Sequence, residues 1–310
     1  MMPATAPTTR QSAFLSELLA TGLLVDTGVP GVYGRGAVFE EIRLGVDRLI
    51  DAVAAGDGAE QLRFPPVLPR RHLETSGYLQ SFPHLAGTIF AFEGTEEEAV
   101  AQARDADAHA RWDRHQRMTD VVLTPAACYP VYPAVAARGP LPPHGVCVDA
   151  GGSYVFRCEP SHDPARLQMF HQREIVRIGE PETVAAWRDV WRERCMTLLG
   201  DLGLEPLSDV ASDPFFGRQG RMLAASQRQQ ALKFEVSLAI AGDEPTAVAS
   251  FNYHRDHFAE RFGITAQTAG AVHSACLGFG LERITLALLV AHGLDRGAWP
   301  AGVRLLLGLS

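Results

Sequence analysis

Apolar residues at positions 38, 39, 42, 46, 49, 50 and 53 recur with a helical period and predict one amphipathic helix over Ala37 to Ala55. A second, Glu182 to Leu202, gathers Val184, Trp187, Val190, Trp191, Cys195 and Leu198 on or near one face, so its tryptophans are expected in the core. Thr9 to Ala20 reads as a short helix with Phe14, Leu15, Leu18 and Leu19 on one side. Gly94 to Met118 is charged and alanine-rich, which predicts an exposed helix or helical hairpin. Helix is also expected over Thr265 to Val272 and, fully apolar and buried, from Ile284 to Leu289. Strand-like runs fall at Gln61 to Leu68, Val121 to Thr124, Val146 to Asp149, Leu232 to Ile240 and Ala247 to Asn252, the last two joined across residues 242–245. Phe258 to Gly263 reads as a short connection, and Val303 to Leu307 as a closing apolar run. The irregular order, without a βαβα rhythm or a glycine-rich phosphate loop, predicts one α+β domain over residues 1–310, built on an antiparallel sheet flanked by helices.

Composition works by exclusion. No apolar run approaches the roughly 20 residues of a membrane span. The first ten residues lack the basic-then-apolar order of a secretory signal. Five irregularly spaced cysteines argue against a disulfide framework, and the cytoplasm is the expected compartment. A net charge of −8 argues against broad nucleic-acid binding, which needs a basic face to neutralise phosphates. Of the 28 basic residues only Lys233 is a lysine.

The chemistry concentrates between Tyr154 and Gly179. Two strand-like runs, one ending at Glu159 and one running on to Gly179, flank a polar, proline-bearing loop. The segment carries Arg157, Glu159, Arg166, Phe170 and Glu174. A guanidinium fork binds phosphate bidentately, an aromatic face stacks on a base, and a carboxylate accepts from an exocyclic amine. The order Phe-Arg-x-Glu, a loop, then Arg-x-x-x-Phe-x-x-x-Glu resembles motif 2 of the class II aminoacyl-tRNA synthetases. Leu277-Gly278-Phe279-Gly280-Leu281-Glu282-Arg283, with its apolar continuation, resembles their motif 3. The helix from Ala37 leading into the proline-bearing run at 61–68 is similar to motif 1, which implies a homodimer. His72 to His84 is similar to the stretch that follows motif 1 in seryl-type enzymes.

The resemblance implies roles. Arg157 would bind the α-phosphate of ATP, Arg283 the γ-phosphate, and Arg166 the bent triphosphate. Phe170 would stack on adenine and Glu159 would accept from its 6-amino group. In a class II fold Cys128, Glu174 and Cys276 surround the amino-acid pocket. The archaeal-type seryl-tRNA synthetases carry a Cys, Glu, Cys zinc there, whose open position takes the substrate's amino group. Two cysteines packed as small hydrophobes, with Glu174 bonding the substrate ammonium, is the alternative. Glu235 and Asn252 fall where seryl-type enzymes keep Mg²⁺ or substrate contacts. A glutamate usual at the start of the latter strand is replaced by Thr246 or Ala247, which leaves the Mg²⁺ ligands unassigned.

The motif 1-like helix begins within the first forty residues, which leaves no room ahead of it for a tRNA-binding arm. A bare core of this kind resembles the amino acid:[carrier protein] ligases. The resemblance implies activation of a small amino acid, glycine or alanine, by ATP and transfer to the phosphopantetheine thiol of a carrier protein, with no tRNA partner. Residues 94–118 are the expected carrier dock. The competing expectations are a reduced seryl-type synthetase acting on tRNA, and a non-catalytic amino-acid sensor. Retention of Arg157, Glu159, Arg166 and Arg283 speaks against the sensor.

Overall fold

The chain enters through a capping box in which Thr8 and Gln11 close each other's free backbone groups at the start of α1 (Thr9–Ala20). A computed structural model describes residues 7–242 and 244–309, so residue 243 of the expected 242–245 turn lies outside the described residues. Next comes the hairpin β1 (Leu24–Val29) and β2 (Val32–Arg35), turned at Gly31, whose φ of +78° a side chain would strain. The strongly amphipathic α2 (Ala37–Ala54) buries Phe39, Ile42, Val46 and Ile50, as its period predicts. β3 (Glu60–Gln61), β4 (Val67–Pro69), α3 (Arg70–Thr75), α4 (Tyr78–Ser81), β5 (Thr88–Phe92), α5 (Glu96–Asp107), β6 (Gln116–Leu123) and α6 (Val131–Ala136) follow. The long strands β7 (Val146–Phe156) and β8 (Met169–Gly179) lead to α7 (Pro181–Asp201), β9 (Leu207–Val210) and α8 (Gly217–Gln229). β10 (Lys233–Leu238), β11 (Thr246–Arg255), α9 (His257–Phe262), β12 (His273–Gly280), α10 (Leu281–His292) and α11 (Ala301–Leu307) complete the chain.

The main sheet has seven strands in the order β3-β7-β8-β12-β11-β10-β9, antiparallel except for the β3 and β7 pair. Side chains alternate across it with a period of two. Odd-numbered residues of the central strands, Ile175, Phe251, Leu277 and Phe279, join the main core with residues of α2, α7 and α10. The even-numbered residues beside them face the opposite way, where α6 and α9 build a second cluster against Val148, Val176 and Ile178. A separate three-stranded sheet, β4-β6-β5, carries α5 at its edge of the fold.

Four expectations are revised. The first motif 2 strand ends at Phe156, so Arg157 and Glu159 begin the loop, while Val146 to Asp149 belongs to the same strand across a register shift at Ala150 to Ser153. Residues 94–118 are not one helical unit: α5 ends at Asp107, and Gln116 onward pairs with β5, Phe90 opposite Met118. Residues 265–272 form no helix; they are small, mostly exposed, and join the fold through a bridge from Ala266 to Leu141 and the burial of Val272. Phe258 to Gly263 is helical rather than a connection, because Phe258 and Ala259 bury a face against the second cluster. Sequence reading assigned no element to 208–230, where β9 and α8 lie.

Trp187 and Trp191 meet the core with their rings and share one polar partner. Both indole N–H groups donate to Asp57 Oδ2, and Arg194 Nη1 donates to its other oxygen at 2.7 Å. Burial alone would raise the Asp57 carboxyl, but the bonds from Arg194, Trp191 and Trp187 prevail and hold it below its ordinary value. A depressed folded pKa contributes stability above the unfolded value and loses it as pH falls. Asp57→Asn should therefore cost about 1–3 kcal/mol at pH 7, with the deficit shrinking below about pH 4, measured by urea unfolding across that range.

Candidate active site

Register lays the polar residues out in two rows. Glu235 pairs with Ser250, Ser250 with Gly278, and Gly278 with Glu174. Two residues along, Lys233 pairs with Asn252 and Asn252 with Cys276. Both rows point to the face away from the main core. The loop after β6 brings in Cys128, whose backbone N–H donates to Glu174 Oε2. Cys128, Glu174 and Cys276 are buried, and their ligand atoms lie within 4.8 Å of one another.

These three groups open on a cavity of about 390 Å³, lined also by Arg157, Gln172, Asp213, Lys233, Asn252 and His254. Burial pushes the Glu174 carboxyl up, against the pull of the Cys128 bonds and the Arg157 charge. Burial likewise drives the Cys128 thiol well above its ordinary value. At Cys276 a hydrogen bond with Cys128 works downward, but burial and the Glu174 charge leave it raised. Each group resists becoming an anion alone, which is the donor set a cation stabilises. Asn252 Oδ1 is buried without a partner, an acceptor aimed at something the protein does not supply. Gly278 has no room for a side chain: a Cβ there would come within 2.9 Å of Glu174 Oε1 and 3.0 Å of Gln172 Nε2.

Of the residues expected from the sequence, Cys128, Arg157, Glu174, Asn252 and Cys276 line the cavity, whereas Glu159, Arg166, Phe170, Glu235 and Arg283 do not. Glu159 and Arg166 lie on the motif 2 loop, Phe170 on β8, Glu235 on β10 and Arg283 in the first turn of α10. Arg157 lies 6.0 Å from the Phe170 ring centre. Arg166 Nη1 donates to Glu159 at 2.9 Å, so these two exposed groups pair with each other. Arg283 is anchored by two backbone carbonyls, Ala165 at 2.7 Å and Ala247 at 2.7 Å, which tie motif 3 to the motif 2 loop. Burial, and after it the charges of Arg157 and Arg166, push it down to about 10, against the pull of Glu159 and Glu235. Glu235 is bound to Lys233 at 2.9 Å, and Lys233 also holds Asp213 at 2.6 Å.

Gln172, Asp213 and Lys233 escaped the sequence reading, which left His254 as structural or surface although it lines the cavity. Lys233 and Glu235 stand two apart on one strand, and the lone lysine was the available signal. Asp213 comes from a segment with no periodic pattern.

The antiparallel sheet flanked by helices is the fold of the class II aminoacyl-tRNA synthetases. In a structural comparison the Methanopyrus kandleri seryl-tRNA synthetase, solved with a tRNASec, superposes with a TM-score of 0.82 and 20% identity over 99% of this chain and 61% of that one. No protein-family model matches the chain. Along its whole length it is 45% identical to amino acid--[acyl-carrier-protein] ligase 1 of Bradyrhizobium diazoefficiens, spanning 94% of that protein. It is 25% identical over 85% of its length to the type-2 serine--tRNA ligase of Methanopyrus kandleri, of which it spans 53%. The chain belongs to the amino acid--[acyl-carrier-protein] ligase family.

Gly278→Ala would press the new methyl onto Glu174 and Gln172, which are side-chain ends able to shift. Substrate misplacement on that scale costs about a hundredfold. Amino-acid activation should fall accordingly while thermal unfolding stays near wild type, as checked by exchange kinetics beside calorimetry.

Proposed function

We propose that the chain activates glycine or alanine with ATP and passes the aminoacyl group to the phosphopantetheine thiol of a carrier protein. The Cys128, Glu174, Cys276 cluster opening into the same cavity as Arg157 carries the reading, because it sets an amine site beside a phosphate site. The donor set fits Zn²⁺: two thiols and a carboxylate, buried and mutually close, three ligands with a fourth position left for substrate. Zinc held there supplies a Lewis-acid position for an uncharged α-amine.

The chain's own residues do the rest. Asn252 Oδ1 accepts from the substrate's amino group, and Gly278 leaves Glu174 and Gln172 room to hold their places beside it. That carboxylate attacks the α-phosphorus of ATP and pyrophosphate departs, with Mg²⁺ travelling on the triphosphate as part of the substrate. Arg157 meets the charge that builds at phosphorus, and Arg166 and Arg283 draw the remaining phosphates to the same end. Phe170 and Glu159 receive the adenine, Glu159 exchanging its Arg166 partner for the exocyclic amine. The carrier thiol, giving up its proton, then attacks the carbonyl carbon, and the C–O bond to AMP breaks. His254, Tyr132 and Phe258 crowd the amino-acid end, which favours small side chains.

Two exposed helices offer the carrier a dock. α5, within the expected 94–118 segment, contributes nothing to the cavity lining, whereas Leu223, Ser226 and Gln227 of α8 do. The lining favours α8, whose Met222 and Arg221 face solvent.

ATP–pyrophosphate exchange across the twenty amino acids tests the activation step. Exchange with one or two small amino acids is expected, and none with any would sink the proposal. Arg157→Ala should lower it about 100- to 1,000-fold, and Arg157→Lys should not restore it, since an ammonium lacks the fork. Met222→Glu should abolish transfer to the carrier with exchange intact. If deleting α5 does so instead, the dock lies there, and acceptance of tRNA in place of carrier would overturn the transfer step.

A further inference from the structure

The cavity lining includes a half-buried histidine whose ring nitrogens the activation chemistry leaves unused. His254, on β11, stands beside Cys276 with both nitrogens within reach of polar neighbours. A neutral imidazole has one N–H and one lone pair, and its neighbours decide which nitrogen carries which. Nδ1 faces two hydroxyls, Tyr132 Oη at 3.4 Å and Ser274 Oγ at 3.3 Å. Neither hydroxyl has another side-chain or backbone partner among the described residues. With two hydroxyl donors sharing its single lone pair, Nδ1 is the accepting nitrogen, which leaves the proton on Nε2. Nε2 lies 3.6 Å from Cys276 Sγ, and the same sulfur lies 3.5 Å from Asn252 Nδ2.

Two N–H donors converging on one sulfur match a thiolate. Two thiolates and a carboxylate carry one negative charge more than a dication neutralises, and N–H groups aimed at sulfur spread that excess. The two cysteines are unequal in this respect: the nitrogen donors converge on Cys276, while Cys128 has Cys276 and Glu174 as its hydrogen-bonding side-chain neighbours.

We propose that His254 is a positioning residue of the Cys128, Glu174, Cys276 centre, its Nε2–H donating to Cys276 Sγ with Asn252 as the second donor. The assignment rests on the zinc reading above and deepens it: Cys276 becomes the oriented, charge-damped ligand and Cys128 the more basic one.

Three forms of the protein test this: wild type, His254→Gln and His254→Phe. Glutamine carries an N–H near the Nε2 position, and phenylalanine fills the ring's place without one. Zinc content and release to a colorimetric chelator are measured for each, with the sulfur-to-metal charge-transfer band after cobalt substitution. His254→Phe should release zinc about 10- to 100-fold faster and shift the cobalt band, with His254→Gln close to wild type on both counts. Release rate and band unchanged in His254→Phe would remove His254 from the centre while leaving the metal reading intact. Wild-type protein that takes up no stoichiometric zinc or cobalt would overturn both. Should His254→Phe fail to fold, His254→Asn, whose amide reaches only the Nδ1 position, replaces it with the same expected loss.

Discussion

Everything at the centre of this protein depends on the register between β8, β12, β11 and β10. Side chains on a strand alternate between faces, so a slip of one residue would exchange the two surfaces of the sheet. Glu174, Cys276, Gly278, Ser250 and Asn252 share a face because their strands are held in one alignment. The same alignment sends Ile175, Leu277, Phe279 and Phe251 into the apolar core. Burying those residues fixes the register, and the site follows from it with no separate specification.

The edge of that core also carries charge. Arg173, between Gln172 and Glu174, turns away from the cavity and binds Asp47 and Asp51 of α2 together with Asp149 of β7. Glu282, at the start of α10, accepts from the backbone and ring of His171 and from Arg35 of the β2 strand. These buried pairs tie the helix of motif 1 and the first hairpin to the strands of motif 2. Breaking one partner of such a buried pair costs about 3–5 kcal/mol, because the survivor is left charged and dry. Gln168, at the end of the motif 2 loop, takes the same support more cheaply, through backbone bonds to Gly31 and Pro30. The arginine loop thus rests on elements more than a hundred residues earlier in the chain.

Strong periodicity made α1, α2 and α7 legible to within a residue or two. The α+β architecture was legible because strands and helices come in no repeating order. The motif residues were legible from their types and spacing, but not their arrangement. Cys128 lies 46 residues from Glu174 in the chain, and the hydrogen bond joining them is a product of the loop after β6. Residues 265–272 were misread because helix-forming composition says little where most of the segment stays exposed. α8 passed unnoticed for a related reason: it buries only Gly220, and polar bonds from Asp213 to Gln227 and Lys233 help hold it. Structure that rests on long-range polar contacts leaves no local trace.

Lys233 has a consequence that reaches beyond the fold. Aminoacyl-adenylates are indiscriminate acylating agents, and the side-chain amine of lysine is the group they most readily capture. This chain has a single lysine, and it stands in the lining of the cavity itself. Burial alone would lower it, but Asp213 and Glu235 outweigh that and raise it above its ordinary value, so it stays an ammonium with no lone pair to offer. The other 27 residues of its Lys and Arg total are arginines, which stay protonated at any working pH. The cavity therefore presents no free lysine amine to an activated amino acid held inside it.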